Sequence, residues 1–338
     1  MTLNKVFSSR MVLQANERVN FFGEGEGHAK IQVGNIVKES DSQNGKWLIT
    51  FDPFDYGGPY VVSVDLNGQK TVLEDVFFGD VILLSGQSNI QFKLNESSTK
   101  QETYESNENI RYFSLVRPES EDYFKPEDGW VKLDKKTAGY WSAVGYHTAI
   151  ELQKRTGHKI GMIACFQGAS SIQSWLPKEV ALEDRFYLPA NQKFWDINHE
   201  VFGKWNGAGF LHENMTEKIA GFVLSNVIWY QGESDTTIYE AKIYPDMLVE
   251  LVKSHKKDFC NNNIKETIVQ IADYDERKND AGWIAIQEAE IEAVKRIDCA
   301  ELVVCRDVCE SNDIHPRTKE KLSLRIAESI LKNGSVKY

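Results

Sequence analysis

The sequence predicts an α/β protein: a mostly parallel sheet with helices on both faces, preceded by a small N-terminal β-sandwich. Two observations predict it. From residue 78 onward, short apolar runs alternate with segments of helical periodicity, the order that builds a parallel sheet between two helical layers. Up to about residue 75, the chain instead carries short β-branched and aromatic runs separated by turn residues, the mark of antiparallel hairpins. The expected division is 1–77 for the β-sandwich and 78–338 for the α/β part.

The elements follow in order. Residues 19–22, 30–33, 47–51 and 60–64 read as strands, with turns at Asn44-Gly45, Gly57-Gly58-Pro59 and Asn67-Gly68. Asn-Gly is a hairpin signal because both residues tolerate positive φ. Residues 81–84 (Val-Ile-Leu-Leu) form the first buried strand of the second part, and 110–115 the next. A helix is expected from 143 to 156, stopped by Gly157, then a strand at 160–164 and another within 223–230. Ile243, Met247, Leu248, Leu251 and Val252 mark the apolar face of a helix over 239–256. Strands at 267–271 and 302–304 flank a helix over 283–297, and a last helix runs from Pro316, suited to a first turn, to 331. Residues 117–140 are polar and read as irregular.

Composition sets bounds. The chain has 338 residues, 41% of them hydrophobic, which is ample for one large core and a smaller one. A net charge of −11 argues against nucleic acid as a partner. No stretch has the apolar length to span a bilayer, so no membrane partner is expected. Met1-Thr2-Leu3-Asn4-Lys5 is not followed by an apolar signal core, so the expected location is cytoplasmic, or extracellular or periplasmic if a leader was removed. The five cysteines are odd in number and only Cys305 and Cys309 are near neighbours. They read as core or surface thiols, with no second ligand pair at metal spacing.

Ser88 lies in Ser85-Gly86-Gln87-Ser88-Asn89, directly after the 81–84 run. A hydroxyl there stands at the carboxyl end of a strand, where open α/β sheets bind ligands. Trp229-Tyr230-Gln231-Gly232-Glu233-Ser234 also follows an apolar run, and Asp313-Ile314-His315-Pro316 lies near the C-terminus. A serine hydroxyl needs a base, the base needs an orienting partner, and the oxyanion needs donors. Ser88 offers the nucleophile and its own N–H, His315 the base, Gly168 a second N–H and Gln231 a side-chain amide.

Taken with Gly79-Asp80-Val81, Arg10-Met11-Val12-Leu13-Gln14, Gly57-Gly58-Pro59-Tyr60 and Trp175, these segments resemble the sialate O-acetylesterases and related carbohydrate acetylesterases of the SGNH hydrolase superfamily. The resemblance covers nearly the whole chain. It implies a flavodoxin-like sheet and a serine acetylesterase acting on an O-acetylated carbohydrate without metal or organic cofactor. It also implies Ser88 as nucleophile, His315 as base, and Ser88, Gly168 and Gln231 around the oxyanion. The catalytic acid is Asp313 or, alternatively, Glu233. Gln87, Asn89, Trp175, Tyr230 and Glu233 are candidate substrate-binding residues, and Trp175, Trp229 and Tyr230 fit either sugar stacking or core packing.

Some positions depart from the family pattern. Asn312 stands where the acid often lies, three residues before the histidine. Ile90 replaces a methionine, Gly168-Ala169 replaces a glycine pair, and Gln287-Glu288-Ala289-Glu290 replaces Arg-Glu-Ala-Gln. Rival readings are a xylan or oligosaccharide acetylesterase, a lipase-like SGNH esterase, and a carbohydrate-binding protein on an inactive esterase scaffold. The polar 90–109 segment argues against the lipase. The joint presence of nucleophile, base and amide argues against the pure binder. A glycosidase with paired carboxylates would leave Ser88 idle.

Overall fold

The computed structural model describes residues 1–115, 129–198 and 203–336. Eight strands open the chain: β1 (Thr2–Leu3), β2 (Val12–Gln14), β3 (Val19–Glu24), β4 (His28–Val33), β5 (Ile36–Asp41), β6 (Lys46–Phe51), β7 (Gly57–Leu66) and β8 (Gln69–Gly86). Six more follow: β9 (Asn107–Ser114), β10 (Val131–Leu133), β11 (Ile160–Phe166), β12 (Asn226–Tyr230), β13 (Lys265–Val269) and β14 (Ala300–Val303).

The first strands pair antiparallel, except β2, which runs parallel to β8. β1, β3 and β6 make one sheet, while β5, β4, β7 and the start of β8 make another. Asn67-Gly68 is the hairpin turn between β7 and β8, with φ of 56° and 85°. Asn44-Gly45 turns in the same way, with φ of 52° and 73°, but its two strands enter different sheets beyond the turn. The expected boundary at 77/78 falls inside β8, which runs unbroken for 18 residues from the antiparallel sheet into the parallel one. The core is shared across that boundary as well: Phe7 meets Phe222 at a ring-centroid distance of 5.5 Å, and Trp130 Nε1 donates to the Val6 carbonyl at 2.8 Å.

The main sheet has the order β10-β9-β11-β8-β12-β13-β14, parallel except for β10 at the edge. Its strands β11-β8-β12-β13-β14 run 2-1-3-4-5 in chain order, the flavodoxin order. β9 and β10 extend it beyond β11. Strand alternation feeds both faces. Val81, Leu83, Ile163, Val227 and Trp229 join the core under helices Ile238–Asp258 and Ala281–Lys295. Ile82, Leu84, Met162, Ile228 and Tyr230 join the core under helices Ala143–Thr156 and Glu320–Lys332. Among the described residues, no helix is long and apolar enough to cross a membrane.

Two expectations need correction, and one open alternative is resolved. The last helix begins at Glu320, not Pro316, because the backbone N–H groups of Arg317 and Thr318 turn to the Glu310 carboxylate instead of starting a helix. The stretch read as irregular contains the short strand β10, paired with β9; the rest of it up to residue 128 lies outside the described residues. Trp229 and Tyr230 belong to a strand covered on both sides, so neither reaches the surface.

Candidate active site

The reversal of strand order between β8 and β12 opens a crevice at their carboxyl ends. Ser88 enters it on the short helix Ser88–Gln91. Gly86 makes the turn possible: its φ is +127°, and a Cβ there would collide with the Tyr230 carbonyl oxygen. The neighbouring strand ends are locked to this turn, with Gln87 N–H donating to Tyr230 O at 3.0 Å and Gln167 N–H to Gly86 O at 3.0 Å.

His315 reaches Ser88 from the far end of the chain, its Nε2 standing 2.8 Å from Ser88 Oγ. The imidazole lies against the Phe92 ring, with centroids 6.0 Å apart. Its pKa is lowered, first by burial and then by the positive charge of Lys319; Asp313 and Glu96 oppose this. The ring is thus held in the neutral form that accepts a proton.

The two candidate acids sit elsewhere. Asp313 is exposed, and its Oδ1 accepts the backbone N–H of His315 at 2.8 Å rather than a ring N–H. Glu233 is buried and accepts from Asn89 Nδ2 at 2.5 Å. Its other oxygen has no partner, and burial pushes its pKa up. Among the described residues no carboxylate hydrogen-bonds the imidazole Nδ1.

Gly168 lies beside the nucleophile: a Cβ on it would stand 3.7 Å from Ser88 Cβ. Its N–H is occupied by Gln91 Oε1 at 2.7 Å. The following residue, Ala169, has a left-handed φ of +53°, and Asn206 Nδ2 holds its carbonyl at 2.8 Å. Gln231 makes no hydrogen bond to the hydroxyl. Its amide is fully buried and donates to Gln87 Oε1 at 3.0 Å, Ser170 O at 2.8 Å and Asp235 Oδ2 at 2.5 Å. It ties three loops together.

The candidate substrate-binding residues are buried and hydrogen-bonded or packed within the chain. Gln87 Oε1 accepts the N–H groups of Gly232 and Ser234, shaping the loop after β12. Trp175 is buried, with its indole N–H on Ser170 Oγ at 2.9 Å and its ring edge-on to Trp229. Tyr230 is fully buried beside Cys305. Asn89 and Glu233 are also buried. All five are buried, Tyr230 in a strand and the other four in the turns and short helices beyond the strand ends. Gln287, in the helix over β13, donates to Ile271 O at 3.2 Å and Asp273 Oδ1 at 3.1 Å.

Three residues at the site escaped sequence reasoning. Trp205 is half-buried with its indole N–H on Gly168 O at 3.2 Å, and Asn206 carries the 169–171 loop. Lys319 is wholly buried, with Nζ 2.6 Å from Asn89 Oδ1. No local pattern marks its burial, because residues 315–319 precede the helix that starts at Glu320.

A family model described as carbohydrate esterase, sialic acid-specific acetylesterase, matches residues 78–332. The chain belongs to that family. Human sialate O-acetylesterase is 25% identical over 335 residues, covering 87% of this chain and 61% of its own length. The rat sialate O-acetylesterase is 26% identical over 361 residues, covering 86% of this chain and 64% of its own. The chain thus spans somewhat under two thirds of these relatives. The crystal structure of a carbohydrate acetylesterase from Xanthomonas citri superposes with a TM-score of 0.82 at 23% identity, over 97% of this chain and 74% of that one. The fold of the sialic acid-specific acetylesterase family member described here is therefore shared along almost its whole length, including the strands before residue 78.

Proposed function

We propose that this chain is a serine esterase that removes O-acetyl groups from carbohydrates, sialic acids or other acetylated sugars, through an acetyl-serine intermediate. The 2.8 Å contact between His315 Nε2 and Ser88 Oγ, at the switch point of the sheet, carries this reading. His315 takes the hydroxyl proton as Ser88 Oγ attacks the acetyl carbonyl. The oxyanion meets the N–H groups of Ser88 and Gly168, the latter once the Gln91 carbonyl has moved off it. The tetrahedral intermediate collapses, and the sugar alcohol leaves with the proton held by His315. Water, deprotonated by the same imidazole, attacks acetyl-Ser88; acetate leaves and the proton passes from His315 back to Ser88 Oγ.

Asp313 acts on the imidazolium through its charge rather than by contact with the ring. Gln231 acts by holding Gln87 and the 170 loop in place. In this reading residues 78–338 are an SGNH-type hydrolase, and the strands of 1–77 pack on it without a glycan site of their own.

Hydrolysis of p-nitrophenyl acetate tests the proposal. Ser88→Ala is expected to lose about 10³-fold or more of the turnover, and undiminished turnover discards the nucleophile. Acetate release from acetylated sialic acids, xylo-oligosaccharides and simple acetyl sugars then ranks the substrates. A preference for long acyl chains would favour the lipase-like reading.

A further inference from the structure

Beneath the Ser88–His315 pair lies a buried polar group that the steps above do not use. Lys319 ends the loop that carries His315 and precedes helix Glu320–Lys332; its carbonyl accepts both the N–H and the hydroxyl of Ser323. Its side chain turns inward and is fully buried. Nζ donates to Asn89 Oδ1 at 2.6 Å and stands 5.2 Å from the Phe92 ring centroid and 5.5 Å from that of Tyr230. Both distances suit a cation over an aromatic face.

Asn89 is the residue after Ser88. Its Nδ2 donates to the carbonyl of Ile314, the residue before His315, at 3.0 Å, and to Glu233 Oε1 at 2.5 Å. One ammonium thus orients one amide, and that amide bridges the backbone beside the nucleophile to the backbone beside the base. Phe92, on which Lys319 rests, is also the ring that backs the imidazole.

We propose that Lys319 is a positioning residue of the Ser88–His315 pair: through Asn89 and Phe92 its buried ammonium fixes the two loops whose meeting creates the contact. The inference rests on the esterase reading, since it gives Lys319 a role toward that pair. The ammonium also acts through space. It repels a proton on His315, against the opposite pull of Asp313 and Glu96, so it helps keep the base free. Burial lowers the Lys319 pKa to about 8, with Cys309, Cys305, Glu233 and Glu310 pulling it back up. The side chain is therefore charged at neutral pH, with Glu233 as its buried carboxylate neighbour.

A lysine that only fills space and anchors the helix predicts a loss of stability and nothing more. A positioning lysine predicts two further changes in Lys319→Met, which keeps the length and removes the charge. The acid limb of kcat/KM should move to higher pH, by roughly half a unit or more, and the plateau should fall about tenfold or more, mainly in kcat. The His315 pKa, read by NMR of histidine-labelled protein and assigned with His315→Gln, should rise in step.

If Lys319→Met does not fold, the unaltered protein still decides. The His315 resonance should show a second, small inflection near pH 8 as Lys319 loses its proton, and that inflection should persist in Cys309→Ser. An unmoved acid limb, or a single inflection, overturns the inference. A fluorophosphonate probe keeps the two levels apart. Failure to label Ser88 in the unaltered protein defeats the esterase reading; normal labelling with an unmoved His315 pKa defeats only the role of Lys319.

Discussion

The backbone N–H of Gly168 donates to the side-chain carbonyl of Gln91 at 2.7 Å. Gln91 therefore occupies, from within the chain, the donor assigned to the oxyanion in the proposed mechanism. Breaking one neutral hydrogen bond costs on the order of 1 kcal/mol. Gln91→Ala is expected to raise kcat for a small acetyl ester about fivefold with KM near its original value. Steady-state kinetics check it, and a raised KM would mean that the Gln91 amide contacts substrate instead.

The charge state of His315 gives a pH prediction. Only the neutral imidazole can accept the Ser88 proton, so kcat/KM rises as pH passes through the histidine pKa. Burial and Lys319 lower that pKa. The acid limb should thus lie below the ordinary histidine value of about 6.5. Exposed Asp313 pulls the other way, so Asp313→Asn is expected to move the limb further down in pH, and to lower kcat by much less than the loss expected for Ser88→Ala.

Ala169 is held at a φ of +53°. A left-handed conformation costs an L-residue with a side chain about 1–2 kcal/mol, part of which glycine returns through its freer unfolded state. Ala169→Gly should therefore be neutral or stabilising by up to about 1 kcal/mol. Chemical denaturation reads this directly, and a clear destabilisation would mean that the Ala169 methyl packs against something that repays its strain.

Behind the site, Glu240 accepts the N–H groups of Phe194 and Thr237 and the Thr237 hydroxyl. Burial, and then repulsion by Asp235, raise its pKa. The native state therefore holds a proton that the unfolded chain releases near pH 4.3, and stability falls as pH rises from there toward the raised folded value. Glu240→Gln removes that proton. Its stability relative to the unaltered protein should improve with pH across this window, by up to about 1.4 kcal/mol per unit. Unfolding free energies at pH 5 and pH 8 measure the slope.

Much of this site was legible because its chemistry sits at strand ends. An apolar run followed by a tight turn fixes where Ser88 emerges, and the histidine near the C-terminus had to return to the same edge to matter. The helix stop at Gly157 followed from local rules and holds in the structure, with Gly157 in the left-handed conformation. What was illegible depends on tertiary burial. A lysine before an amphipathic helix looks like a solvated residue, and nothing local says that Lys319 turns inward. The aromatic residues stayed open for the same reason. Trp175 and Tyr230 fitted either a sugar or the core, and both lie in the core: Tyr230 ends a strand covered on both faces, and Trp175 ends the short helix Ile172–Trp175 beneath Ser170. The early start given to the last helix had the same origin: Glu310, seven residues before Arg317, captures its N–H group.

The unbroken run of β8 has a mechanical consequence. The segment that zips against β7 at its beginning delivers the nucleophile at its end. It behaves as a stiff lever between the front of the molecule and its reactive edge. A slip of one step at the Asn67-Gly68 corner would have to be swallowed somewhere along the lever before Gly86, or it would drag the hydroxyl out of line. Trimming the front sheet would therefore be felt at the cleft, far from any residue that was removed.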